Sequence, residues 1–294
     1  MYPLGLVRIA FGAVALLWAL WLLPMRNGLL DAHGVTPTQP SDAHTWGIFQ
    51  IWNTNAAMLI GIIVLLLAAF ALMVGWHSRL AAVVVCVLIL SFERRASWTF
   101  NGGDVLMRIE ALFLAISPCG AALSLDQRRR TGRFWSAQTR PNWPIRLFQI
   151  QLSLTYLSAA RTKFAGETWT NGTAVSYALR IEDMQRVPLP HWFVTNALAM
   201  NAMTWGAMAI ELAVGILVWW PRCRPWVLSA GVLMHVMIDV HIQIGIFSYA
   251  IFVMYLAWIS PETVKHLPDK LIRARRRRRK VDRNDVQVVN SENC

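Results

Sequence analysis

Long apolar stretches recur along this chain, and they constrain its fold more than any other feature. A helix needs about 20 apolar residues to cross the roughly 30 Å hydrocarbon core of a bilayer. A sliding window of about 19 residues predicts eight spans, near residues 4–24, 54–75, 79–98, 104–125, 143–164, 197–220, 225–241 and 243–260. The sequence therefore predicts an all-α, polytopic integral membrane helical bundle of about eight spans.

Segment 225–260 allows a second interpretation. It carries His235, Asp239, His241 and Gln243 near its midpoint, where two short apolar runs meet. If it forms one span plus a re-entrant segment, the bundle has seven spans.

The composition agrees with a chain that is solvated by lipid. Hydrophobic residues make up 56% of the sequence and charged residues 15%, which is too apolar for one water-soluble domain. The formal net charge of +12 could indicate nucleic-acid binding. Cytoplasmic loops of membrane proteins also collect Lys and Arg, however, and this explanation fits better. We expect the lipid bilayer, and no nucleic acid, as a partner.

The basic residues also predict the orientation. They gather in segments 126–142, 221–224 and 273–280, which the positive-inside rule places in the cytoplasm. We therefore expect a multi-pass protein of the cell (plasma) membrane with cytoplasmic N- and C-termini. Segments 25–53, 99–103 and 165–196 would face outward. Tryptophans predicted to form interfacial belts are Trp18, Trp21, Trp46, Trp52, Trp76, Trp98, Trp169 and Trp192.

The composition changes after residue 261. Residues 1–261 are predicted to be the transmembrane domain, and residues 262–294 a basic, disordered cytoplasmic tail that lies against anionic lipid. The first apolar run is longer than the core of a signal peptide, so we interpret it as the first span. The preference for arginine over lysine and the many alanines favour a bacterial source.

Lys163 is the most informative single residue. The chain has 24 Arg and 4 Lys, and the other three lysines lie in the tail. A desolvated lysine can lose its proton near neutral pH and act as a base, which arginine cannot do. Gln149, Tyr156 and Lys163 are spaced by seven and share one helix face. The alternative is that Lys163 extends to the outer headgroups.

Other ionisable residues are predicted to gather in the outer half of the membrane. Such groups are costly there and need a partner or a function. They are Glu93, Arg94, Asp104, Arg108, Glu110, His235 and Asp239. Asp104 can cap its helix, and Arg108 lies one turn later for an ion pair with it. His235, Asp239 and Glu211 could hold a metal, but no motif supports one, so none is expected.

Three segments resemble one known family. The first is NGGDVLMR (101–108), followed by a run ending in SLD at residue 126. The second is YLSAARTKFAGETWTNGTAVSYAL (156–179), and the third is MHVMIDVHIQIGIFSYAIF (234–252). Together they resemble the horizontally transferred transmembrane (HTTM) domain family, which includes the vitamin K-dependent γ-glutamyl carboxylase. Their order and spacing agree with that family over residues 4–260.

The resemblance implies a carboxylase-like membrane oxidoreductase. By this comparison Lys163 matches the catalytic base, and His235 matches a histidine of the active-site helix. The expected co-substrate is a reduced quinone, such as a vitamin K hydroquinone-like molecule or menaquinol, with oxygen and, for modification of a peptide, carbon dioxide. We expect substrate contacts from Asn101, Asp104, Arg108, Tyr156, Trp169 and Asp239.

A non-enzymatic function remains open beside this one. Arg161 and Thr162 precede Lys163, where the carboxylase has a second lysine beside its base. Short members of the family also resemble a membrane protein that helps to mature a secreted toxin. The alternative is therefore a maturation, export or immunity partner of a secreted peptide, acting with a protein encoded nearby, in which the polar residues hold helices together.

Overall fold

The computed structural model describes residues 1–30, 46–96 and 99–268. Within these ranges the chain forms helices and no β-strand, which confirms the predicted all-α class. The α-helices are α1 (Tyr2–Met25), α2 (Ile48–Ile51), α3 (Asn55–Val74), α4 (Ser78–Arg95), α5 (Gly102–Ile116), α6 (Leu125–Thr131), α7 (Trp143–Phe164), α8 (Glu167–Thr170), α9 (Ala174–Ala178), α10 (His191–Val194), α11 (Ala197–Leu217), α12 (Arg224–His241), α13 (Phe247–Tyr255) and α14 (Pro261–Lys265).

Each of the eight predicted spans coincides with one of these helices, namely α1, α3, α4, α5, α7, α11, α12 and α13. Three helical segments among the described residues are long and apolar enough to cross a membrane: Tyr2–Leu30, Asn55–Val74 and Ala197–Leu217. Their outer faces carry exposed apolar side chains such as Leu17, Leu67 and Trp205. These faces suit contact with lipid chains, so the helices support a membrane protein.

Two predicted spans have different ends in the structure. The span predicted over 104–125 is a helix of 15 residues that ends at Ile116. Pro118 follows two residues later, and proline cannot continue a helix. The last span is also shorter than predicted, because α13 and the 3₁₀ turn after it cover only Phe247–Trp258. A helix of that length spans about 18 Å, which is less than the hydrocarbon core.

The helices pack in two groups with α13 between them. In the N-terminal group, α1 packs on α3, and α4 packs between α3 and α5. In the C-terminal group, α11 packs against both α7 and α12. Helix α13 contacts members of both groups, including α1, α5, α7 and α12. Its central residues are buried, so its short length is shielded by the surrounding helices.

A buried arginine joins α1 to the end of α3. Arg8 has no exposed surface, and its guanidinium donates hydrogen bonds to backbone oxygens of Leu72, Met73 (2.9 Å) and Leu123 (2.5 Å). The last carbonyls of a helix lack partners within the helix. Arg8 therefore satisfies the end of α3 and holds the segment before α6 against it.

Several predictions concern residues at the margins of the described ranges. Trp98 and residues 269–294, which include the arginine run of the tail, lie outside the described residues. Helix α14 extends past the predicted boundary at residue 261, and its Val264 is buried.

Candidate functional site

Lys163 lies in the last turn of α7 and points toward the interior of the C-terminal group. Its ammonium forms an ion pair and hydrogen bond with Oε1 of Glu211 on α11. The two side chains are 19% and 10% exposed, respectively. Lys163 is therefore held by a partner inside the bundle, which argues against the alternative that it extends to the headgroups.

Trp169 covers the same ammonium from another side. The Nζ atom lies 4.7 Å from the centre of the Trp169 ring, a distance at which cation–π attraction is significant. The chain turns directly after α7, where the amide of Gly166 donates to the Lys163 carbonyl (3.0 Å), and α8 then carries Trp169 back over the helix end. We call Lys163, Trp169 and Glu211 the lysine cluster.

Two helical turns before Lys163, a second set of polar groups meets. The Tyr156 hydroxyl lies 2.8 Å from Nε2 of His235 on α12 and 2.5 Å from the hydroxyl of Tyr255 on α13. A Cβ atom added at Gly231 would lie 2.1 Å from the Tyr255 hydroxyl oxygen. The absence of a side chain at Gly231, one turn before His235, therefore makes room for this contact. We call Tyr156, His235 and Tyr255 the hydroxyl cluster.

The two clusters are close enough to act on each other. Tyr156 and Lys163 lie two turns apart on one face of α7, and the Tyr156 hydroxyl contacts His235. The sequence-predicted catalytic pair, Lys163 and His235, therefore belongs to one polar region of the C-terminal group.

This region contains buried polar atoms that have no hydrogen-bond partner in the described part of the chain. They are Oε2 of Glu211 and Nδ1 of His235. A buried polar atom without a partner costs about 1–3 kcal/mol. Both atoms are thus available to a ligand or to water.

Asn101 and Asp104 are joined by a capping box at the start of α5. The Asn101 side chain accepts from the Gly103 amide, and Oδ2 of Asp104 accepts from the Asn101 amide, both at 2.7 Å. Oδ1 of Asp104 accepts from the Trp18 indole at 2.8 Å. Gly103 lets this turn approach α13, since an added Cβ atom would lie 2.7 Å from the Phe247 Cα atom. The first motif thus packs directly on the third.

One predicted pairing of this segment is wrong. Arg108 forms its ion pair with Glu93 of α4 at 2.7 Å, and not with Asp104. Asp104 already uses its oxygens for the cap and for Trp18, whereas the Glu93 carboxylate faces Arg108 across the α4–α5 contact.

A cavity of about 490 Å³ lies beside Asn101 and Asp104. Its walls include Trp18, Trp21, Arg186, Gln243 and Tyr249. We call it the outer cavity.

Asp239 is one turn beyond His235, and it contacts two residues of this wall. Its Oδ2 atom lies 3.2 Å both from the Arg186 guanidinium and from the Tyr249 hydroxyl. His235 and Asp239 therefore bind different partners, and Asp239 links α12 to the outer cavity.

Sequence reasoning missed three residues of this region. Glu211 was noted as an acid inside a span, but its pairing with Lys163 depends on the contact between α7 and α11. Tyr255 could have been noted as one of only 5 tyrosines, lying within an apolar run. Arg186 carries no sequence signal, because a predicted outer segment gives it no defined position. Glu110, by contrast, was flagged, and its fully buried carboxylate has no partner among the described residues.

Comparison with known proteins gives a family match over most of the chain. The family model described as HTTM domain matches residues 2–262. No curated protein and no solved structure matches the chain.

Proposed function

Because the chain belongs to the HTTM domain family, we propose that it is a membrane oxidoreductase that acts on a lipid quinol, with Lys163 as the base. The HTTM domain is associated with vitamin K-dependent carboxylase-like membrane proteins. The observation that carries the proposal is the pairing of the Lys163 ammonium with Glu211 inside the bundle, where the two side chains are 19% and 10% exposed. A lysine that served only to anchor the helix would have its ammonium in the headgroups.

Pairing with Glu211 is compatible with a role as base. In a medium of low dielectric constant, moving the Lys163 proton to Glu211 turns two charges into two neutral groups and removes the cost of burying charge. The neutral amine can then accept a proton from a substrate hydroxyl. The proton would move along the hydrogen bond to Oε1 of Glu211 and stay on that carboxyl group in the meantime.

The remaining groups suit binding of a hydroxylated ring. The buried Nδ1 atom of His235 has no hydrogen-bond partner among the described residues. Neither Lys163 nor His235 lines the outer cavity, but Asp239, one turn beyond His235, contacts its wall. The cavity has the size range of small-molecule sites, and its wall combines the Trp18 and Trp21 rings with polar groups. A reduced quinone would supply the electrons for reaction with oxygen, and carbon dioxide would enter only if a peptide is modified.

The test is a comparison of variants at two basic residues of the same helix. We expect Lys163→Ala to lower quinol-dependent oxygen uptake and epoxide formation by at least about 100-fold, the range of general-base catalysis. Arg161→Ala, which removes an exposed charge two residues earlier, should retain activity. The protein would be assayed in nanodiscs with menaquinol, and unchanged turnover in Lys163→Ala would exclude this function.

A second function is favoured by the completeness of the lysine cluster. The ion pair between Lys163 and Glu211, covered by Trp169, connects α7, α8 and α11, as expected if the charges only hold helices together. The chain would then be a non-enzymatic maturation, export or immunity partner of a secreted peptide. Lys163→Arg separates the two, because arginine preserves the pair but cannot act as a base. A parent without quinol-dependent oxygen uptake, together with a Lys163→Arg variant that folds and still supports the secreted peptide, would favour the second function.

We also propose the finer topology. Eight helices would enter the bilayer, with α13 as a partial crossing buried among the others, in a plasma membrane with both termini cytoplasmic. Single cysteines at Arg133 and Thr168, introduced into a variant without the native cysteines, should react with an impermeant thiol reagent from opposite sides of sealed vesicles. Labelling of both from the same side would contradict this topology.

A further inference from the structure

A small basic cavity lies at the opposite end of α7 from Lys163. It has a volume of about 270 Å³ and is enclosed by the starts of α7 and α12 and by the turn between α13 and α14. Its lining residues are Met1, Pro3, Asn142, Ile145, Arg146, Gln149, Arg224, Ala257, Trp258, Ile259, Ser260 and Pro261. None of them is acidic, so the charged side chains of the lining are the two arginines. We call this the basic cavity.

Both arginines are held in place by an aromatic ring. The Arg146 guanidinium lies 5.8 Å from the centre of the Trp219 ring, and the Arg224 guanidinium 5.0 Å from that of Trp258. The two tryptophan rings meet edge to face with centroids 4.9 Å apart. The four side chains thus form a continuous series of contacts, from Arg146 through the two tryptophans to Arg224, beside the cavity.

The guanidinium groups keep most of their hydrogen-bonding capacity. Arg146 donates to Oε1 of Gln149 at 2.8 Å, and Arg224 donates through Nε to the Val218 carbonyl at 3.0 Å. Neither arginine has a carboxylate within ion-pair distance in residues 1–30, 46–96 and 99–268. A guanidinium has five N–H donors, so both groups have N–H donors left for an external acceptor.

A buried indole adds a neutral donor. Trp258 is 6% exposed, and its Nε1 atom has no hydrogen-bond partner in the described structure. Its neighbour Trp219 differs, since its indole donates to the Ser153 hydroxyl at 2.9 Å. A buried donor without an acceptor is rare. Trp258 lines the basic cavity together with the two arginines, and this combination of donors without a carboxylate suits an anion.

Exposed tryptophans mark the level of the cavity in the membrane. Trp143, Trp220 and Trp226 lie within two to four residues of the lining arginines in sequence and are all exposed, Trp226 to 78%. Tryptophans of this kind concentrate at the interface between hydrocarbon and headgroups. The basic cavity therefore lies where phospholipid phosphates are found.

We propose that the basic cavity binds the phosphate of an anionic phospholipid, held by Arg146, Arg224 and the Trp258 indole N–H. The planar fork of arginine matches the oxygens of a phosphate and forms strong charge-assisted hydrogen bonds with it. The interfacial tryptophans favour a lipid headgroup over free phosphate as its source. This site is independent of the proposed activity at Lys163, because the two lie at opposite ends of α7.

The test titrates the purified full chain in detergent micelles with dioctanoyl phosphatidylglycerol and follows its thermal unfolding. We expect a rise in the midpoint with phosphatidylglycerol and little change with dioctanoyl phosphatidylcholine. Arg146→Ala and Arg224→Ala should each weaken the apparent affinity about tenfold, through loss of a charge-assisted contact. Trp258→Phe, which keeps an aromatic ring and removes the N–H, should weaken it about fivefold.

Arg222→Ala is the matched control. It removes one charge from the turn before α12 at an exposed residue outside the lining, so it should bind as the parent does. If Arg222→Ala loses as much affinity for phosphatidylglycerol as Arg224→Ala does, the lipid is held by general electrostatic attraction. The proposal that it binds in the basic cavity is then wrong. If inorganic phosphate gives the same stabilisation and competes with the lipid, the cavity is a free-phosphate site and the lipid proposal is overturned. Absence of any stabilisation by phosphatidylglycerol also overturns it.

Discussion

The capped segments of the N-terminal group and the lysine cluster of the C-terminal group both bury polar side chains, but they satisfy them differently. Asp104 caps α5 and accepts from Trp18, and Asp126 accepts three hydrogen bonds from His77 and Ser78 at the start of α4. Near Lys163, in contrast, polar atoms of Glu211 and His235 have no partner among the described residues. The capping residues Asp104 and Asp126 are explained by folding, whereas Glu211 and His235, like Glu110 of α5, have hydrogen-bonding capacity left among the described residues.

The largest effect is expected from breaking the lysine pair. Glu211→Leu leaves a buried ammonium without its carboxylate and should lower the free energy of unfolding by about 3 kcal/mol. The double variant Lys163→Met, Glu211→Leu should recover most of this loss, since apolar residues often replace a buried pair without cost. Denaturation in mixed micelles measures both. A double variant that is stable but inactive would support a chemical role of the lysine cluster beyond folding. A double variant that is both stable and active would contradict that role.

Removing the α5 cap should have the next largest effect. Asp104→Ala loses the capping box and leaves the Trp18 indole without its acceptor, which should destabilise the fold by about 2 kcal/mol. Asp183→Ala, at an exposed acid of the 165–196 segment, is the control and should be near neutral. Turnover per folded molecule should change little if Asp104 is mainly structural. A large loss of turnover at unchanged stability would assign Asp104 to the chemistry instead.

A methyl group at Gly231 tests the hydroxyl cluster. Gly231→Ala collides with the Tyr255 hydroxyl, which would lie 2.1 Å from the new Cβ atom, and should destabilise the fold by about 1.5 kcal/mol. Tyr255→Phe in the same chain removes that hydroxyl and should relieve most of the strain. Gly206→Ala in α11, where an added Cβ meets nothing within 4 Å, should be neutral or stabilising. Equal effects of the two alanines in thermal unfolding would contradict the proposed packing.

The smallest effect concerns Asp126, which lies outside the membrane spans. Partial burial alone would raise the pKa of its carboxyl group, but hydrogen bonds from Ser78 and the His77 amide outweigh burial and hold the pKa below its ordinary value of 3.8. A lowered pKa in the folded state means that the ionised group stabilises the fold above the ordinary pKa. This contribution is lost as the pH falls through the folded pKa.

Asp126→Asn should therefore destabilise the protein at neutral pH by less than about 1 kcal/mol. The difference between parent and variant should shrink as the pH falls below about 4. Thermal midpoints measured from pH 3 to pH 7 check this. A difference that stays constant or grows toward acid pH would show that the charge of Asp126 is not what stabilises the cap.

Helix positions could be predicted from the sequence, because apolar runs and caps are local features. Even there, Pro118 ended α5 earlier than hydropathy indicated, since a window of about 19 residues averages over a single helix breaker. Pairings between helices could not be predicted in this way. Arg108 was assigned to Asp104, which lies one turn away, but α4 brings Glu93 closer to it. The partners of Lys163 and Tyr156 likewise follow from contacts between distant segments.

The guanidinium of Arg8 has a consequence for biosynthesis. Its three acceptors belong to residues 72, 73 and 123, so the first helix leaves the ribosome long before these oxygens exist. Until residue 123 has been synthesised, this cation must remain among water and lipid phosphates, because burying it alone in hydrocarbon is too costly. We therefore expect the N-terminal helix to reach its final depth only after the loop that follows α5 has been made. Early truncations of the nascent chain should leave it shallow.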